Sequence, residues 1–394
     1  MKKKMLFVYP ELMLGGSTTS LISLLKSIDY NHFEVDLVLY RNRGEYFNDL
    51  PIQVNVLPEV SSFTSSFFSN CRKLFYFIVS GIVLKAIFAE LFYKKKIGFN
   101  SQIMCQFQSR HSRKIEKTYD IAIGYLELWA DYYTLEKVMA QKKLIWIHSD
   151  YLKTGFIPLL DYKRFKKADQ IVCVSESCLV SFNKVFSNLS HKVVVIENIL
   201  SADYVKQRAT EAIDFNSDIE NFNGIKFVTV CRLTMHTKGL DRSIAAAKKL
   251  KAEGHHFRWF IIGDGEDYKL LEDLIQEENL EDTFFLIGKK INPYPYIQKC
   301  DVYVMSSRRE GKPMSVTEAQ ILGLPIIVTN YSSAKEQVLH GEDGIIVDNT
   351  DEAIFGGMKE ILDNPSLIRK FKENVLKKEI NNAALIEQFY SNLE

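Results

Sequence analysis

Apolar residues along this chain fall into short, nearly continuous runs separated by amphipathic stretches. Seven runs lie in the first half: MLFVY (5–9), EVDLVLY (34–40), IQVNVL (52–57), DIAIGY (120–125), KLIWIHS (143–149), QIVCVS (170–175) and KVVVIEN (192–198). Six follow in the second: KFVTVCR (226–232), RWFIIGDG (258–265), FFLIG (284–288), VYVMSS (302–307), PIIVTN (325–330) and GIIVD (344–348). Strand-length runs of this kind, with helical patterns between most of them, predict parallel sheets covered on both faces by helices. The polar stretch 201–224, ending DFNSDIENFNG, interrupts the alternation and marks an expected link near residue 210. Two α/β domains are therefore expected, residues 1–205 and 206–377, as suits a chain of 394 residues. Ligands of such sheets bind beyond the carboxyl ends of the strands, so a cleft between the two domains is the expected active site.

Residues 61–118 do not follow the alternation. They hold 10 Lys+Arg against 2 Asp+Glu, whereas residues 201–394 hold 24 against 31. A basic block on one domain points to an anionic partner, a membrane surface or nucleic acid. Within it, LFYFIVSGIVLKAIFAELF (74–92) is apolar but carries Lys85 and Glu90, flanked by Arg72, Lys73 and Lys94–Lys96. Three placements are open: an interfacial helix on anionic lipid, a buried helix of the first domain, or a bilayer span, which the central charges disfavour. The block has no nucleic-acid-binding motif, being rich in Phe and Leu, so nucleic acid is not the expected partner. The six cysteines make no C-x-x-C pair and no zinc spacing, and the opening MKKKMLFVYPE has too short an apolar run for a signal peptide. Both features lead to the expectation of a cytoplasmic protein.

Five stretches carry candidate chemistry. Gly15 and Gly16 follow the first strand and precede a helix whose free amides suit an anion, although a plain glycine turn reads equally well. In CRLTMHTKGLDR, Arg232 ends a strand and Lys238 precedes Gly239, placing two cations where a diphosphate would sit, or simply on the surface. IIGDGED ends a strand in Gly263-Asp264-Gly265, which lets a ligand or a neighbouring loop come close. In RREGKPMSVTEA, Glu310 lies in a loop, Pro313 suits the first helical turn, and Glu318 lies within the helix. The amides of Met314 to Val316 suit a phosphate there, and the two carboxylates suit hydroxyls of two different sugars, as in a nucleotide-sugar. His148 ends an apolar strand in WIHSDY and is either structural or a group at the crevice. No D-x-D and no His/Cys/carboxylate cluster with metal spacing is present, so no metal or other cofactor is expected.

With these residues in place the chain resembles retaining GT-B glycosyltransferases of family 4, the group 1 type. The resemblance is carried by EGKPMSVTE, an E-x7-E pattern continued by AQILGLPIIVTNYSSAKEQVLHGEDGIIV, then by RLTMHTKGLD, IIGDGED, His148, VCVSES (172–177), Asn198 and the Gly-Gly loop. It is firmest from about 225 to 350 and looks closest to enzymes of capsular, exopolysaccharide or lipopolysaccharide synthesis. It implies two Rossmann-like domains facing a central cleft, with residues 378–394 as a helix crossing back to the first. It implies a nucleotide-diphospho-sugar donor, expected to be a UDP-sugar, held by the second domain. Arg232, Lys238 and the amide of Gly16 would meet its diphosphate. Glu310 and His148 would serve the reacting sugar, Glu318 the ribose, and the backbone around Ile291 the base. Gly15, Gly263, Gly311, Lys312, Pro313, Met314 and Ser315 complete the candidate donor site. Retention would run by a front-face route, with catalysis mostly electrostatic.

The resemblance also implies an acceptor on the side of the first domain, expected to be a lipid-linked glycan. The basic block 61–118 would then hold the enzyme at the inner face of the membrane. Lys312 departs from the family, whose members often have an aromatic residue or Gly there, so it bears on donor identity. Two other readings compete: a catalytically silent subunit stabilising a partner glycosyltransferase, and a different GT-B chemistry on nucleotide-sugars, such as epimerisation. Silent relatives tend to lose the diphosphate cations or the first carboxylate, and this chain keeps Arg232, Lys238, Glu310 and Glu318.

Overall fold

The computed structural model describes residues 2–61, 97–212, 217–378 and 382–393. The apolar stretch 74–92 and most of the basic block lie outside these residues. Among the described residues no helix is long and apolar enough to cross a membrane.

The chain forms two units, Met1–Ile199 with Ala383–Glu394, and Leu200–Asn382. The first holds a seven-stranded sheet in the order β3-β2-β1-β4-β5-β6-β7, and the second a six-stranded sheet in the order β10-β9-β8-β11-β12-β13. The first-sheet strands are β1 (Lys3–Tyr9), β2 (Phe33–Leu39), β3 (Asn55–Val56), β4 (Thr118–Gly124), β5 (Met139–Ile147), β6 (Gln170–Cys173) and β7 (Val193–Val195). The second-sheet strands are β8 (Ile225–Val230), β9 (Phe257–Ile262), β10 (Phe284–Gly288), β11 (Val302–Met305), β12 (Ile326–Thr329) and β13 (Gly344–Val347). Every neighbouring pair is parallel. Each apolar run thus becomes one strand of a covered parallel sheet. The shortest is IQVNVL, which shrinks to a two-residue edge strand between Pro51 and Pro58.

Both sheets are wound in opposite directions from one internal point. The chain runs outward from β1 to β3 and resumes on the other side of β1 with β4; it runs from β8 to β10 and resumes beside β8 with β11. Each unit therefore has a crevice at the carboxyl ends of two adjacent strands, β1/β4 and β8/β11, where the connecting loops part.

The units divide at 199/200 and not near 210. Residues 202–209 are helical, and Val205 and Ala209 are buried in the second core with Tyr294, Val316 and Ala319. The polar letters of this stretch line the outer face of that helix, so composition reads as a linker what packing makes a domain element. At the other end, the helix Asn382–Ser391 belongs to the first unit from residue 383 onward. Phe389 is fully buried in the first core, Tyr390 stacks on Phe33 at 5.5 Å, and Gln388 donates to the Val195 carbonyl at 2.6 Å. Fully burying an aromatic side chain of this size stabilises by about 1.5–3 kcal/mol.

Candidate functional site

The β8/β11 crevice of the second unit gathers most of the residues singled out above. Arg232 lies just past β8, in a loop ending in a single helical turn, Met235–Lys238, closed by Gly239 at φ +68°. A Cβ on Gly239 would sit 2.3 Å from the Ser306 carbonyl oxygen, so only glycine lets this loop meet the one that follows β11. Three contacts fasten the two loops. The Arg308 amide donates to the Thr237 carbonyl at 2.9 Å, Ser306 Oγ donates to the Lys238 carbonyl at 2.9 Å, and the Arg308 guanidinium donates to the Met235 carbonyl at 2.7 Å. Arg308 also forks onto the Asp241 carboxylate at 2.8 and 2.6 Å.

Fastened in this way, Lys238 Nζ and Glu310 Oε1 lie 2.7 Å apart, with side chains 20% and 12% exposed. Burial works against the ammonium's charge, but the Glu310 carboxylate and Cys231 more than offset it, and the Lys238 pKa stands above its ordinary value. Arg232 is exposed and close enough to Lys238 for the two charges to repel. Lys238 is thus paired with the Glu310 carboxylate while a second cation, Arg232, stands beside it.

The helix Met314–Ile321 starts beside this group. Its N-cap is Pro313, which has no side-chain donor or acceptor, so the first-turn amides carry no side-chain cap. The Pro313 carbonyl accepts from Gln337 Nε2 at 3.0 Å, which also donates to Thr317 Oγ1 at 3.1 Å. Ser315 hydrogen-bonds the buried Tyr303, Met314 is 6% exposed, and Gly311 and Lys312 lie partly buried in the preceding loop. Glu318 is 6% exposed and accepts from Tyr294 OH at 3.2 Å. Burial raises its pKa to about 7, against the pull of that hydrogen bond.

Gly263 follows β9, at φ +153°, and an added Cβ would meet the Cys231 carbonyl oxygen at 1.9 Å. The close approach it permits is therefore to the loop after β8, so it shapes the crevice wall. Ile291, past β10, is 54% exposed.

His148, Gly15 and Gly16 belong to the first unit. His148 follows β5, and its Nε2 lies 3.1 Å from the Tyr125 carbonyl, which makes that nitrogen the N–H donor. Burial pushes the ring's pKa down to about 4, with the Tyr125 hydrogen bond opposing. The imidazole is therefore neutral near pH 7 and keeps Nδ1 as an acceptor. Gly15 precedes the helix Gly16–Lys26, which likewise has no side-chain cap, and a Cβ on Gly15 would meet nothing within 4 Å. Tyr9 OH sets the helix start through Ser17 Oγ at 2.7 Å and Thr18 Oγ1 at 3.1 Å. Among the described residues no three His, Cys, Asp or Glu side chains cluster as a metal site needs.

Several site-shaping residues escape sequence reasoning. Arg308, Asp241 and Ser306 brace the two loops, and Tyr294 and Gln337 hold Glu318 and Pro313. Their partners are 24 to 73 positions away, with no pattern linking them; only the adjacency of β8 and β11, once inferred, would direct attention to Arg308.

Comparison with known proteins places this geometry in context. Residues 212–378 match the model of the family described as glycosyl transferases group 1. An uncharacterized glycosyltransferase of Methanocaldococcus jannaschii is 28% identical over 63% of this chain and 61% of its own length. The Campylobacter jejuni N-acetylgalactosamine-N,N'-diacetylbacillosaminyl-diphospho-undecaprenol 4-alpha-N-acetylgalactosaminyltransferase is 28% identical over 56% of this chain and 60% of its own length. The match thus spans about 60% of the length of these two relatives. Anabaena HepE, solved with UDP-glucose, aligns over 99% of both chains with a TM-score of 0.70 at 16% identity, a likeness of fold. The two parallel sheets are the Rossmann-like pair of the GT-B fold, and residues 212–378 match the glycosyl transferases group 1 family.

Proposed function

We propose that this protein is a retaining glycosyltransferase that moves a hexose from a nucleotide-diphospho-sugar, a UDP-sugar by expectation, to a lipid-linked bacterial surface glycan. The observation that carries the reading is the 2.7 Å pair of Lys238 and Glu310. A sugar-phosphate linkage needs an anion acceptor and a hydroxyl acceptor side by side, and this pair supplies both. Arg232 adds the second cation a diphosphate calls for, and the uncapped amides of Met314–Val316 add dipoles of the same sign. Glu318 faces the ribose as a carboxyl poised near neutrality. His148, neutral, accepts a donor-sugar hydroxyl at Nδ1 and transfers no proton. The leaving phosphate takes the acceptor's proton, and the chain's own groups stabilise the charge that builds on it. No metal is assigned a role. The bound UDP-glucose of HepE and the diphospho-undecaprenol acceptor named for the Campylobacter enzyme support the donor and acceptor classes. Peripheral contact with the inner leaflet through 61–118 belongs to the same reading.

The test is a screen of UDP-, GDP- and ADP-sugars for binding and slow hydrolysis by the full chain, with the anomer of the released sugar read by NMR. The expected result is hydrolysis of one UDP-sugar with retention. Binding of no nucleotide-sugar would remove the reading, and an inverted or epimerised product would replace it with another chemistry.

A further inference from the structure

The β1/β4 crevice of the first unit holds a cavity of about 340 Å3, within the size range of small-molecule sites, roughly 300–1,000 Å3. Its walls come from the loops that part there: Pro10 and Glu11 after β1, Tyr40 and Arg41 after β2, and Leu126 to Trp129 after β4. Gln108, on the helix Ile97–His111, closes another side. Trp129 and Tyr40 are packed ring to ring at 5.2 Å and form a rigid aromatic wall.

The charged groups around this cavity are not equivalent. Both oxygens of Glu11 are taken by Arg43, at 2.9 and 3.1 Å. Arg41 lies over the Tyr40 ring at 5.7 Å, and its guanidinium has no hydrogen bond or ion pair among the described residues. Glu127 has one buried oxygen, Oε1, without a hydrogen-bond partner among them. Burial raises the Glu127 pKa, with hydrogen bonds from the His148 and Ser149 backbone and from Ser149 opposing. The next residue, Leu128, is held at φ +73°, a region a branched side chain rarely adopts. Strain of this kind persists where a wall must keep a set shape. The side-chain amide of Gln108 makes no hydrogen bond among the described residues. The cavity therefore offers one uncommitted cation, hydrogen-bonding groups at Gln108 and Glu127, and an aromatic wall.

We infer that this cavity seats the acceptor, and that the part of the acceptor it takes is an anionic sugar, a hexose bearing a carboxylate or a phosphate. The inference rests on the glycosyltransferase reading and narrows its acceptor class. The Arg41 fork matches either anion with two parallel hydrogen bonds. Gln108 and Glu127 meet ring hydroxyls, and the wall of Trp129 and Tyr40 covers the apolar side of the ring.

Ligand-observed NMR titration of the full chain with glucuronate, glucose 1-phosphate and glucose at fixed ionic strength tests this. The expected result is that at least one charged sugar binds about tenfold or more tightly than glucose. Preference for glucuronate names the carboxylate as the anion, and preference for glucose 1-phosphate names the phosphate. Arg41→Gln is expected to erase the preference and Arg41→Lys to keep part of it, with thermal unfolding confirming that both variants fold. Equal binding of all three sugars, or a preference unchanged in Arg41→Gln, would overturn the inference. UDP binding by the parent is measured in parallel. A parent that binds UDP but no charged sugar loses this inference and keeps the donor reading. A parent that binds charged sugars through Arg41 but no nucleotide loses the assignment of the cavity to an acceptor.

Discussion

The two crevices are built by one topological device and furnished in opposite ways. At β8/β11 the loops present ions: Lys238 and Glu310 are paired at 2.7 Å, Arg232 stands beside them, and Arg308 forks onto Asp241. At β1/β4 the loops present rings and buried acids: Trp129 against Tyr40, with Glu127 and Asp131 held in low-dielectric surroundings. A highly charged group such as a diphosphate needs preset counter-charge, which costs less to hold when one of the cations, Lys238, is already paired with a carboxylate. A sugar ring needs shape, which packed aromatic side chains and strained backbone supply, and at β1/β4 a single cation, Arg41, stands beside that wall. The winding of a doubly wound sheet thus says where a ligand sits, and the loop composition says what it is.

This contrast is most exposed at Glu310. Glu310→Ala is expected to lower turnover of a cognate donor about 100- to 1,000-fold, read as initial rates at saturating donor; a rate near the parent's would make the ionic crevice structural only. Lys238→Ala is expected to weaken UDP about 10- to 100-fold by titration calorimetry, and it also leaves the Glu310 carboxylate without its partner. Unchanged affinity would move the diphosphate elsewhere.

Glu318 supplies a test by pH. Its carboxyl holds a proton up to about pH 7 in the folded chain, whereas an unfolded glutamate releases it near 4.5. The folded state therefore binds more protons across that window, and stability falls as pH rises through it. Glu318→Gln escapes this loss. It is expected to match the parent near pH 4 and to exceed it by about 3 kcal/mol at pH 8 in chemical denaturation.

The smallest effect is expected on the other side of the comparison. Asp131 is fully buried, and its pKa is raised well above the usual value, first by burial and then by the charges of Glu127 and Asp161. Its stability cost likewise grows as pH rises. Asp131→Asn is expected to stabilise the chain by about 1 kcal/mol at pH 8 and not at pH 4. A loss at pH 8 would show that the acid is held ionised by a partner.

The fold was legible because covered parallel strands are written as unbroken β-branched runs; each of the thirteen runs became a strand. The helix Ala202–Ala209 was not, because Val205 and Ala209 are its buried contacts and the residues around them are polar. In the site, Arg232, Lys238, Glu310 and Glu318 were legible from their places after strands and at a helix start. Tyr294, which supports Glu318, was not, since a partner 24 positions away is chosen by tertiary packing alone. Gly263 was legible as a close approach but not as to what, and the answer is the Cys231 backbone.

The return of residues 383–393 to the first core has a consequence for how the protein comes into being. The second unit is one uninterrupted stretch of chain, whereas the first is made of two pieces that lie either side of it. During synthesis from the N-terminus, domains fold as their chain emerges. The unit that begins first is here the one completed last: its surface for Phe389 and Tyr390 stays bare until some 180 residues of another domain have been made.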